Sequence, residues 1–62
     1  MTIYVVIESY TNRDSNYEDR EIVAAFLQEV NAQIYCDTHK STRCDGYFFY
    51  EDVEIRDNKE VI

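Results

Sequence analysis

Hydrophobic residues fall into three groups along the chain, and the spacing within each group points to a different element. From Thr2 to Tyr10 β-branched and aromatic residues run through the segment, with Ile3, Val5 and Ile7 pointing one way and Tyr4, Val6 and Tyr10 the other. Alternation of that kind predicts a strand, and here both of its faces are largely apolar. Tyr47 to Arg56 also alternates: Tyr47, Phe49, Val53 and Ile55 share a face interrupted by Glu51, while Phe48 and Tyr50 share the other with Asp52 and Glu54. The middle group, Arg20 to His39, supports two readings. In one, Ser15 caps a single long helix with Glu18 three residues later, and Ile22, Val23, Phe26, Leu27, Val30 and Ile34 line one helical face. In the other, Glu21 to Phe26 is a strand, Leu27 and Gln28 turn the chain, and a helix of roughly three turns runs from Gln28 to about His39. Periodicity slightly favours the long helix, and the pattern alone leaves both open.

Polar segments separate these groups. Thr11 to Asp19 carries Asn12, Asp14, Ser15 and Asn16, whose side chains bond to nearby backbone and favour turns, so it reads as a hairpin loop with Tyr17 folding back as its anchor. Lys40 to Gly46 holds the only glycine, suited to a positive φ at a strand entry. The tail from Asp57 onward is expected to fray.

Three segments together, IYVVIESY (Ile3 to Tyr10), IVAAFLQEVNAQIYCDTH (Ile22 to His39) and YFFYEDVEI (Tyr47 to Ile55), resemble a family of short uncharacterised phage and bacterial proteins. In that family a strand ends in Phe, a polar turn follows, and an Ala six residues after the Phe opens the buried face of a helix. Phe26 and Ala32 stand at those positions here. Val30, Ile34 and Leu27 depart from the pattern, the first two replacing polar residues and the third a small cap residue. The resemblance implies the strand-helix reading, and hence one α+β domain over residues 1–62: a three-stranded antiparallel-type sheet with one helix in β-β-α-β order. It carries no chemistry.

In that arrangement Ala32, Tyr35, Cys36 and His39 form the helix face toward the sheet, and Val30 and Ile34 lie on the opposite side. The exposed pair marks either an interface with another chain or a rotated helix whose inner face is Leu27, Val30 and Ile34. A single helix covers one side of a sheet, yet the first and last strands are apolar on both. Homodimerisation by stacking or extending the sheets is the expected answer.

Composition narrows the partners. Six Lys and Arg against 13 Asp and Glu give a net charge of −7, so the surface repels phosphate and direct binding to nucleic acid or an anionic membrane is disfavoured. Its natural complement is a basic protein surface. The longest apolar run near the start, Ile3 to Ile7, is shorter than a signal core, so the expectation is a cytoplasmic protein, in the host cytoplasm for a phage product, with Cys36 and Cys44 reduced.

Little points to catalysis: there is one His, one Gly and no recognisable nucleophile motif. Cys36, His39 and Cys44 are spaced C-x2-H-x4-C, but a fourth zinc ligand is missing, and Cys36 on the inner helix face suits a small buried hydrophobe. The expectation is therefore no metal, no cofactor and no enzyme. Glu51, Asp52, Glu54 and Asp57 beside Tyr50 form a carboxylate and aromatic strip able to meet Arg and Lys of a partner, as against an ordinary solvated face that deters edge pairing. The sequence thus reads as a small acidic inhibitor or modulator of a host nucleic-acid-handling or defence protein. Two alternatives stand beside it. One is a sponge for a small nucleotide at a dimer seam, with Arg13, Arg20 and Arg43 on the phosphates; the other is an accessory structural subunit.

Overall fold

A computed structural model describes residues 1–56, with strands β1 (Thr2–Asn12), β2 (Tyr17–Phe26) and β3 (Tyr47–Glu54) and one helix, α1 (Glu29–Thr38), in the order β-β-α-β. The fold is α+β, as the resemblance implies, and the single long helix is excluded because residues 17–26 are strand. Both hairpin strands run further into the polar segment than their composition suggests. Only residues 13–16 turn, with Asn16 at a φ of 61° and the Asp14 N–H bonded to Asn12 Oδ1 at 2.9 Å. Tyr17 does not fold back as an anchor: it opens β2 and is 74% exposed.

The strand order is β2-β1-β3, both pairings antiparallel, so the most apolar strand takes the centre and β2 and β3 are edges. Consequently β2 and β3 run parallel to each other, and α1 joins them across β1. A crossover of this kind must lie on one face of the sheet. Tyr4, Val6 and Glu8 face the helix with Ala24, Phe26, Phe48 and Tyr50, and Ile3, Val5, Ile7 and Ser9 take the other side. Between Val6 and Ile7 the register shifts, since Val6 pairs with Ala24 and Ile7 with Ile22. Val23 is therefore the extra residue of a bulge, and Ile22 and Val23 both turn to the side away from the helix.

Ala32 is the buried residue of α1, and Val6 in β1 is likewise fully buried. Around them Tyr35 acts as a hub, with its ring 5.9 Å from Phe26 and 5.8 Å edge-on from Phe48. Leu27, Val30 and Ile34 all stay exposed, so the helix is not rotated. No side chain caps its start; Gln28 is extended, and its carbonyl alone receives the Asn31 and Ala32 N–H groups. His39 sits past the last turn, stacked on Tyr35 at 3.8 Å and exposed to solvent instead of packed on the sheet.

The segment between α1 and β3 is clamped to β1. Glu8, whose side chain is 10% exposed, accepts the Ser41 hydroxyl at 2.6 Å and lies 3.5 Å from Arg43 Nε. Arg43 also sends both terminal nitrogens to Glu21 at 3.3 Å and stacks on Tyr10. Gly46 has no positive φ; Asp45, at 53°, takes that conformation. The glycine is needed for space, because a Cβ there would overlap Ser41 Oγ.

Candidate functional site

The residues singled out in the sequence divide between two sides of the edge strand β3. Glu51 projects with Phe49 and Val53 to the face away from the helix, whereas Asp52, Glu54 and Tyr50 project to the helix side. Alternation along an edge strand therefore splays the strip to both sides of the edge. Asp57 lies outside the described residues.

Two of these groups have partners within the chain. Glu54 accepts the Thr2 hydroxyl at 2.7 Å and the Met1 amine at 2.9 Å, and these bonds, the Thr2 one first, hold its carboxyl below the usual carboxylate range. Tyr50 donates to Glu29 Oε2 at 3.3 Å. Partial removal from water, followed by the nearby Glu29 charge and that hydrogen bond, pushes the Tyr50 hydroxyl above its ordinary range. Glu51 and Asp52 are exposed and make no hydrogen bond or ion pair among the described residues. Glu29 is the site residue that the sequence pattern did not single out. It opens α1, where a carboxylate suits the helix dipole, and only the crossover brings it to Tyr50.

Across α1 and β3 there are five carboxylates, Glu29 and Asp37 in the helix and Glu51, Asp52 and Glu54 in the strand, with no Lys or Arg in either element. Beside them the outer helix face carries an apolar ridge: Leu27 leads into it, Val30 is 53% exposed and Ile34 52%. Four of the five carboxylates and the apolar ridge thus lie on the helix side of the sheet, and Glu51 lies on the other. Aromatic support comes from beneath, with Tyr4 edge-on to Tyr50 at 6.5 Å.

Cys36 and Cys44 are free thiols, and among the described residues no three His, Cys, Asp or Glu side chains converge to hold a metal. Burial, and secondarily Asp37, raises the Cys36 thiol above its ordinary range. Cys36 and His39 line an open groove of about 350 Å³ with Lys40, Ser41, Gly46, Tyr47 and Phe48. The three arginines named for phosphate contacts are dispersed. Arg43 is committed to Glu8 and Glu21 on the helix side, Arg20 pairs with Glu18 at 3.2 Å on the other face, and Arg13 sits in the hairpin turn. Among the described residues no helix is long and apolar enough to cross a membrane.

Comparison with protein-family models, with curated proteins and with solved structures gives no match for this chain.

Proposed function

We propose that this chain is a small, non-enzymatic binding protein that engages a basic protein surface through α1 and β3. What carries the reading is the side just described: four carboxylates, Glu29, Asp37, Asp52 and Glu54, with no Lys or Arg in α1 or β3, next to the ridge of Val30 and Ile34. Carboxylates at strand spacing receive Arg and Lys side chains, and an adjoining apolar ridge supplies contact area that is not screened by salt. Basic surfaces of this kind are common on proteins that handle nucleic acid. The phage resemblance in the sequence makes an inhibitor or modulator of such a host protein, or of a host defence protein, the specific form of the proposal.

Asp52 and Asp37 are the exposed carboxylates of this side with no partner among the described residues, while Glu29 already accepts the Tyr50 hydroxyl and Glu54 serves first to pin the start of β1. The test is affinity capture from host lysate with the wild-type chain and with Asp37→Lys/Asp52→Lys side by side. A partner held by the first, lost from the second, and released as salt rises supports the reading. Equal capture by both chains refutes it.

A further inference from the structure

The face of the sheet away from α1 bears no covering element among the described residues, and the Cα envelope is 11 Å deep in its thinnest direction, the depth of one helix layered on one sheet. Ile7, Ile22, Val23, Tyr47, Phe49 and Val53 share this face, with Ile22 71% exposed. From this face we infer that a second copy of the chain packs on it, sheet against sheet, to form a two-fold dimer.

Three observations favour a second copy over another occupant. The first is charge. Against a net charge of −7, this is the side where two copies repel least: Glu18 is neutralised by Arg20, whose guanidinium also lies 5.6 Å over Phe49, leaving Glu51 as the unpaired charge. Glu29, Asp37, Asp52 and Glu54 lie on the helix side, so approach of two open sheet faces keeps these charges apart.

The second is area. The apolar side chains of the face expose on the order of 500 Å² per copy, so pairing removes roughly 1,000 Å², the threshold for a specific interface. A patch of about 500 Å² is in the upper part of the range of the largest apolar patch on a typical monomer, and such patches often mark an interaction site. The third is the thinness of the core. Val6 and Ala32 are the buried apolar residues among those described, and small scaffolds of this length gain support from disulfides, metals or association. The two cysteines are free and no metal-binding cluster is present among the described residues, so association is the support the chain itself can supply.

Sedimentation equilibrium across a micromolar concentration range tests the inference. A mass of twice 7.4 kDa is expected for the wild type, falling to the single-chain mass for Ile22→Asp. Val30→Asp, on the outer helix face, should leave the dimer intact. Should Ile22→Asp fail to fold, isotope-filtered nuclear Overhauser contacts in a mixed-label wild-type sample decide the matter. Contacts between copies from the Ile22 and Val53 methyls support sheet stacking. A wild-type monomer throughout the range, contacts confined to Val30 and Ile34, or contacts confined to strand-edge amides each overturn it.

Discussion

Gly46→Ala measures how firmly the connection between α1 and β3 is held. A Cβ at this position would overlap Ser41 Oγ and stand 2.7 Å from Ser41 Cβ, with the Arg43 carbonyl oxygen at 3.1 Å. Something must move, and the Ser41 side chain is the mobile part. Ser41 Oγ donates to the buried Glu8 carboxylate and receives the Arg43 N–H at 3.2 Å, so its departure removes a hydrogen bond to a charged group in the sheet. Such a bond contributes about 1.5–3 kcal/mol. Replacing glycine stiffens the unfolded chain and returns about 0.4–1 kcal/mol. The difference is a loss of about 1–2 kcal/mol, which for a domain of this size lowers Tm by roughly 5–15 °C. Circular-dichroism melts at one fixed protein concentration read it directly. Ser41→Gly supplies the second arm, because it deletes both clashing atoms along with the bond. Ser41→Gly/Gly46→Ala should then be no less stable than Ser41→Gly alone. An unchanged Tm for Gly46→Ala, or costs that add in the double variant, would show that the clamp does not act through this contact.

Further outcomes follow from the same geometry. Thr2→Val removes the first cause of the low Glu54 pKa, so a carboxyl NMR titration should show it rising toward the ordinary range. Because the folded value is depressed, the stability linked to Glu54 is present above the ordinary carboxylate range and disappears as pH falls through the lowered value. Tyr50 behaves in the opposite sense: its raised pKa means stability present below the ordinary phenol range and lost as pH rises through the raised value. Glu29→Gln should lower that pKa without restoring the ordinary value, since partial burial remains, and tyrosinate absorbance reports it. Gln28→Ser gives α1 the side-chain cap it lacks and should stabilise the fold by about 0.5–1 kcal/mol in denaturant melts, whereas no gain would mean the first-turn N–H groups are already satisfied. Ser9 is buried with its Oγ unpartnered, so Ser9→Ala should be neutral or stabilising by up to about 1 kcal/mol.

Strand positions were legible in the sequence because a two-residue period leaves a mark on every side chain. The opposed sets Ile3, Val5, Ile7 and Tyr4, Val6, Tyr10 stand on opposite faces as the pattern requires, and Phe48 and Tyr50 face the helix. Residues 20–26 were ambiguous for a physical reason. Ile22 and Val23 side by side break the alternation, and the bulge that puts both on one face imitates helical spacing. The hairpin turn is shorter than the run of polar residues because those residues also serve as strand: Asn12 and Asp19 are joined by a side-chain bond at 2.9 Å across the ladder. Least legible was the clamp. Glu8 in the middle of an otherwise apolar strand was the available signal, since a carboxylate at such a position requires a donor, but its partners Ser41 and Arg43 lie more than thirty residues away and only the fold brings them to it. Glu29 and Tyr50 stand 21 residues apart, and again the fold alone brings them together.

Pairing of the open sheet faces fixes where the acidic side must go. In the proposed dimer each helix would lie on the outside of a four-layer stack, and α1 with the helix-side carboxylates Asp52 and Glu54 would point away from the second copy. The pair then carries twice the −7 of one chain, spread over two outward surfaces, and offers two equivalent docking positions to a basic partner. Affinity for a partner with two basic patches would exceed that of either surface alone, provided their separation matches. Association also ties stability to concentration, because a dimer's folded form is favoured by mass action. Tm should therefore climb as the wild-type protein is concentrated and stay level for Ile22→Asp. Were both to melt at concentration-independent temperatures, the greasy face would have to be tolerated by a lone copy, and the acidic surface would act singly.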